Sequence, residues 1–164
     1  MVTFLQRRIV QPLVALLRQG TSPQRLACSI ACGVVCGVFP VVGATTILCA
    51  GAALLFGLNL PAAQLVNYFL YPLQLALIVP FMRAGAVILR TQRSQLSLEQ
   101  MIAIFRHNQI QALQDLWRFT VHGIVAWLLL SPVLFAVAYA VALPPITRMA
   151  RLVARRRGMA EAAP

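Results

Sequence analysis

The longest uncharged stretch of the chain runs between Arg25 and Arg83. About 20 consecutive apolar residues suffice to span a membrane as a helix, and this stretch is roughly three times as long. Breaking residues recur along it, and lipid tolerates non-helical backbone only where protein or a water-lined cavity satisfies the freed polar groups. The pattern therefore predicts broken helices that build a structure inside the bilayer. The breaks that we expect to matter are Pro40, Gly43, Pro61, Pro72 and Pro80.

The composition excludes an ordinary soluble domain. The 164 residues are 60% hydrophobic and only 10% charged, whereas soluble domains have about 45–50% apolar and 25% charged residues. We therefore predict an all-α, polytopic membrane protein. A net charge of +11 is also found in nucleic-acid-binding proteins. Here the arginines border apolar segments, where they set topology and contact anionic membrane lipids, so we expect no nucleic-acid partner.

Five segments follow from the pattern. They are an interfacial amphipathic helix at 1–20, a broken-helix membrane core at 21–90, an extramembrane amphipathic segment at 91–118, a transmembrane helix at 119–145, and an arginine-rich cytoplasmic tail at 146–164. Pro144 and Pro145 are expected to end the transmembrane helix. In the core, short helices alternate with breaks, which fits either re-entrant hairpins or short tilted spans. The number of crossings, two or four, stays open.

The arginine distribution predicts the orientation. The N-terminal flank has four arginines and no acid, the C-terminal flank has five and one acid, and residues 90–118 have four arginines and two acids. The positive-inside rule then places both termini in the cytoplasm. A bacterial inner membrane fits this arrangement.

Arg83 is the only charged residue in the apolar core, and no acid lies in the same region. Charges inside membranes are costly and mark functional sites, and a guanidinium suits a lipid phosphate. The alternative is that Arg83 extends to the nearby interface. Thr45 and Thr46 follow Gly43 where a helix begins, and a helix N-terminus favours an anion. The alternative there is a plain turn with a hydroxyl cap.

Polar side chains also occur within the apolar core. Asn59 and Asn67, with Gln64 and Gln74, either line a polar path or act as caps and interhelical hydrogen bonds. The candidate ligand-binding residues are thus Arg83, Thr45, Thr46, Asn59 and Asn67.

Cys28, Cys32 and Cys36 share a helix face at four-residue spacing. They suit either a soft-metal relay or close packing beside the small-residue motif of Gly33 and Gly37, and packing is favoured. We predict no metal and no cofactor. The sequence offers no nucleophile–base pair, no paired carboxylates and only three acids, so we expect no enzyme. The small-residue faces are compatible with a homo-oligomer.

Four motifs resemble one bacterial family. They are Gly20-Thr-Ser-Pro23, Gly37-Val-Phe-Pro40-Val-Val-Gly43, Asn59-Leu-Pro-Ala62 and Tyr71-Pro72. Together they are similar to the bacterial membrane proteins grouped as domain of unknown function 2062, although Tyr71 stands where the commoner form has Asn. The resemblance implies a helical inner-membrane protein and no particular activity. Some members resemble fusions to glycosyltransferases, which implies work on envelope lipids.

The leading hypothesis is therefore a protein that binds or translocates an anionic lipid or small anionic solute within the bilayer. Its partners would be membrane lipids, with an anionic headgroup held between the broken hairpins. The alternative is a non-catalytic membrane scaffold or anchor for an envelope-biogenesis enzyme such as a glycosyltransferase.

Overall fold

The computed structural model describes residues 22–90 and 109–161, so the amphipathic helix expected at 1–20 lies outside the described residues. The described residues contain no strand, and the all-α prediction is confirmed for them. The helices are α1 (Pro23–Gly37), α2 (Thr45–Leu55), α3 (Leu60–Phe69), α4 (Tyr71–Ile88) and α5 (Gln109–Glu161).

Local signals explain where the short helices begin and end. The side chain of Ser22 accepts a hydrogen bond from the backbone N–H of Arg25 at 3.3 Å and caps α1. Pro40 and Gly43 interrupt the chain between α1 and α2, and Gly43 has a φ of 86°, which glycine adopts readily. Leu70 alone separates α3 from α4. Pro61 and Pro72 lie in the first turns of α3 and α4, whereas α4 continues through Pro80.

The prediction that Pro144 and Pro145 end a helix is wrong, because α5 continues through both to Glu161. The prolines remove two backbone donors, but the next turn is held by packing. Ile146 is buried against Leu26 of α1, in a cluster that also contacts later residues of α5. Tertiary contact therefore outweighs the local break. The helix α5 is also continuous across residue 118, where a segment boundary was expected.

The helices α1 and α2 form a hairpin that starts and ends at one end of the bundle. Gly57, just beyond α2, lies beside the guanidinium of Arg25. The backbone N–H of Asn59 then donates to Ser29 Oγ at 2.8 Å, so α3 begins next to the start of α1. We call this end the Arg25 end. From it α3 runs in the same direction as α1, with Ala63 against Gly33.

The opposite end of the hairpin, which we call the tip end, is clamped between α4 and α5. Pro40 packs against Gly123, and Met82 lies beside the same glycine. The side chain of Trp127 is buried, donates from Nε1 to the carbonyl oxygen of Val35 at 2.9 Å, and meets the Phe39 ring edge-on at 4.8 Å. The helices α4 and α5 are antiparallel, because Phe81 of α4 packs with Ala126 and Trp127 whereas Gly85, one turn later, meets His122. From there α5 runs to the Arg25 end at Ile146.

Two of the described helices are long and apolar enough to cross a membrane, by length and composition. They are Tyr71–Ile88, and Trp117–Leu152 within α5, and only 17% and 11% of their most apolar windows are buried. Their apolar side chains are therefore mostly exposed, unlike those of a core helix in a soluble protein. With 15, 11 and 10 residues, α1, α2 and α3 measure only about 22, 16 and 15 Å.

Candidate ligand site at the tip end

The structure brings four of the five predicted ligand residues to the tip end. Thr45 and Thr46 open α2 there, and the Asn67 backbone packs beside Gly37, near the end of α1. Arg83 follows Met82, which lies beside Gly123 together with Pro40. The exception is Asn59, which lies at the Arg25 end, eight residues or about 12 Å before Asn67 along α3. A ligand role for these residues stays a prediction.

A chain of amide side chains runs beneath the first turn of α2. Gln64 Nε2 donates to the carbonyl oxygen of Thr46 at 2.9 Å, and Asn67 Nδ2 donates to Gln64 Oε1 at 3.0 Å. A backbone carbonyl can only accept, so it fixes the orientation of both amides. Asn67 is 3% exposed, and its Oδ1 has no hydrogen-bond partner in the described structure.

This orientation limits what Asn67 can offer. One of the two N–H groups of its amide is engaged by Gln64, and its unpartnered polar atom is the acceptor Oδ1. An anion needs donors, so this acceptor does not favour one. The strongest donors at the tip end are the Arg83 guanidinium and the N-terminal turn of α2.

The other polar side chains of the apolar core act as caps and interhelical hydrogen bonds. Asn59 Oδ1 accepts from the Ala62 N–H at 3.0 Å and caps α3. Gln74, 1% exposed, donates to the carbonyl oxygens of Phe39 at 2.9 Å and Val41 at 3.4 Å. The cap and interhelical interpretation of these side chains is therefore confirmed.

The sequence analysis did not predict the role of one buried polar residue, Ser29. Ser29 Oγ donates to the Arg25 carbonyl oxygen at 2.7 Å and accepts from the Asn59 N–H at 2.8 Å. It thereby joins the starts of α1 and α3. The only available signal was its spacing of four residues from Arg25, which allows the bond within a helix but does not reveal the partner on α3.

The N-terminus of α2 lacks a side-chain cap. Ala44 occupies the N-cap position and makes no side-chain hydrogen bond, so the expected hydroxyl cap is absent. The first N–H groups of a helix have no partner within the helix itself. Ser22 and Asn59 supply such a partner to α1 and α3. Leu70 does not supply one to α4, but α4 follows α3 directly.

Arg83 stands exposed on α4 among apolar side chains. Val79 and Val87, one turn away on either side, are also exposed. Residues 1–98 contain no Asp or Glu. This placement suits a guanidinium that either meets a lipid phosphate or extends toward the interface.

The cysteines and glycines of α1 pack closely. Cys32 and Cys36 form one buried cluster with Cys49 of α2 and Ala63 of α3, and all of the chain's cysteines are free thiols. A Cβ on Gly33 would overlap the carbonyl oxygen of Ala63, so the small-residue motif brings α1 against α3 as expected. Across residues 22–90 and 109–161, no group of three metal-ligating side chains is arranged to hold a metal ion.

Residues 22–90 and 109–161 thus form an all-helical structure with two helices apolar enough to cross a membrane, and comparison with known proteins identifies the family. A family model described as an uncharacterized protein conserved in bacteria, DUF2062, matches residues 6–156. The chain therefore belongs to this family, and the resemblance seen in its motifs is confirmed. Comparisons with curated proteins and with solved structures gave no match.

Proposed function

We propose that this protein is an integral membrane protein of the bacterial inner membrane with two crossings and both termini in the cytoplasm. The exposed apolar surfaces of α4 and α5 support the crossings, of which α3 and α4 together form the first, because α4 begins at the tip end where α3 stops, and α5 forms the second. In this proposal the short α1–α2 hairpin enters from the cytoplasmic Arg25 end and turns back inside the bilayer. Its length supports this, because α1 reaches only about 22 Å into a hydrocarbon core of about 30 Å.

The function that fits this arrangement best is binding of an anionic lipid headgroup at the tip end. The observation that carries it is the uncapped N-terminus of α2 at the same end of the bundle as Arg83, the only charge in the apolar core. A helix N-terminus supplies free N–H donors and positive potential. A guanidinium adds bidentate donors for a phosphate.

Native mass spectrometry of the purified protein tests this proposal. Arg83→Ala should lose a co-purified anionic phospholipid, and Arg83→Lys should retain part of it, because lysine keeps the charge but not the bidentate geometry. Arg25→Ala, at the opposite end, is the matched control and should keep the lipid. The proposal fails if Arg83→Ala carries the same lipids at the same occupancy as the unmodified protein.

A second variant separates the α2 N-terminus from Arg83. Ala44→Asp places a carboxylate at the N-cap, where it should stabilise the helix by about 0.3–1 kcal/mol and repel an anionic headgroup. Higher thermal stability together with loss of the lipid would support the site. Higher stability with unchanged lipid occupancy would exclude the α2 N-terminus as a contact.

Labelling with a membrane-impermeant maleimide tests the topology. Val42→Cys at the hairpin tip should resist labelling from either side of intact vesicles, whereas Trp117→Cys should react from the periplasmic side. The native cysteines are largely buried, so they should react little with the maleimide. Mass spectrometry identifies which thiol is modified. Reaction of Val42→Cys from the periplasm would instead establish that α1 and α2 cross fully.

A scaffold for an envelope-biogenesis enzyme is the second candidate. Its support is the continuation of α5 beyond the prolines, with Arg148, Arg151 and Leu152 exposed. Complementation of a deletion strain distinguishes the two functions. Rescue by Arg83→Ala but not by a chain truncated after Ala150 would favour the scaffold, and the reverse would favour the lipid site.

A further inference from the structure

We infer that α2 is a hinged lid over the amide pair of Gln64 and Asn67. The first observation is the backbone at its two ends. Gly43 precedes α2 with a φ of 86°, and Gly57 follows it with a φ of 60°. Both glycines are exposed, and a Cβ at Gly43 would meet nothing within 4 Å. Glycine rotates at low steric cost, so each end of α2 can act as a pivot.

The second observation is that α1 is held tightly while α2 is not. The end of α1 and the following turn are fixed by Trp127, Gln74 and Gly123. By contrast, the residues that α2 buries are all small, namely Thr45, Cys49 and Ala53. Most of its large side chains point away from the bundle, with Ile47, Leu54 and Leu55 each at least 74% exposed. Apart from Leu48, which packs against two core clusters, little large apolar surface of α2 opposes its movement.

The third observation is what α2 covers. The bond from Gln64 Nε2 to the Thr46 carbonyl oxygen ties α2 to α3. Gln64 in turn accepts from Asn67 Nδ2, and the other polar atom of that side chain, Asn67 Oδ1, is a buried acceptor without a partner. Such an atom normally has a water or ligand to satisfy it. Because this atom is buried, a ligand reaches it only when an element packed around it moves, and α2, tied to the amide pair through Gln64 and flanked by two exposed glycines, is the element best placed to do so.

The orientation of the amides sets the chemistry of that ligand. Asn67 Oδ1 requires a hydrogen-bond donor, so the site beneath the lid takes a hydroxyl or ammonium group and not a bare phosphate. This inference goes beyond the proposed lipid site, because it does not involve Arg83. Failure of one does not entail failure of the other.

The buried thiols are native reporters of lid opening. Cys49 on the inner face of α2 is 0% exposed and packs with Cys32 and Cys36. In mild detergent we expect N-ethylmaleimide to modify Cys49 faster than global unfolding allows, as measured by mass spectrometry of its peptides, which separates Cys49 from the other free thiols. Gln64→Leu removes the tie to Thr46 and should raise the Cys49 rate about three- to tenfold, as expected for one hydrogen bond.

Trp127→Phe is the matched control, because it also removes one interhelical hydrogen bond, but from the clamp on α1. It should change the Cys49 rate less than twofold. The lid is refuted if Cys49 reacts only at the rate of global unfolding, or if Gln64→Leu and Trp127→Phe have equal effects. If Gln64→Leu fails to fold, hydrogen exchange of the backbone amides in the unmodified protein tests the lid instead. Residues 45–55 exchanging as slowly as 26–37 would equally refute the lid.

Discussion

The contact between Gly85 and His122 gives the sharpest test of the packing of α4 against α5. A Cβ on Gly85 would lie 2.9 Å from His122 Cα and still closer to the carbonyl group of His122. Carbon atoms normally approach to about 3.5–4.0 Å. Gly85→Ala must therefore push the two helices apart, and backbone cannot rotate aside as a side chain can. Overpacking of this kind lowers the free energy of unfolding by about 1–3 kcal/mol. We expect a loss near the upper end of this range for Gly85→Ala.

Thermal unfolding in mild detergent, followed by circular dichroism, measures this loss. At about 2–4 °C per kcal/mol for a chain of this size, Gly85→Ala should lower Tm by about 6–12 °C. Gly51→Ala is the control, because a Cβ there meets nothing within 4 Å. It should raise stability by about 0.5–1 kcal/mol through helix propensity. If Gly85→Ala is as stable as Gly51→Ala, the close approach of the two helices is refuted.

Three further outcomes follow from the hydrogen bonds. Asn59→Ala removes the α3 cap and should cost about 1 kcal/mol in thermal unfolding, without changing lipid occupancy; a loss of lipid would instead make Asn59 a ligand contact. Gln74→Leu leaves two turn carbonyls without their donor and should cost about 1–3 kcal/mol, so unchanged stability would refute the clamp. Acrylamide should quench the exposed Trp117 in a Trp127→Phe protein far more strongly than Trp127 in a Trp117→Phe protein; equal quenching would contradict the burial of Trp127.

The sequence predicts the helical breaks well, because each break is a local event. Proline and glycine between apolar runs determine where α1 ends, and Asn59 followed by Pro61 determines where α3 begins. The same local rule fails at Pro144 and Pro145. There the outcome depends on Ile146 meeting α1, some 120 positions earlier in the chain, and a local pattern contains no information about that contact.

At the candidate site, too, the sequence predicts the local features but not the contacts between distant parts of the chain. The sequence singles out Arg83 because a charge in an apolar stretch is visible without a fold. It cannot separate a ligand contact from a structural hydrogen bond at Gln74, because the acceptors lie on a distant turn of the chain. The partners of Gln74 are on the turn 35 and 33 residues away. Only the fold shows that these acceptors are backbone carbonyls.

These hydrogen bonds narrow what any ligand of this protein can be. In the described part of the chain, Ser29, Asn59 and Gln74 are engaged with backbone groups, which disfavours a second role for them in selecting a solute. The strongest donors at the tip end are one guanidinium and the backbone of α2. Such donors recognise charge and not a detailed pattern of hydroxyl groups. A site of this kind should therefore discriminate anionic from zwitterionic headgroups but tolerate different groups attached to the phosphate, unless α2 opens and Asn67 adds a requirement for a donor.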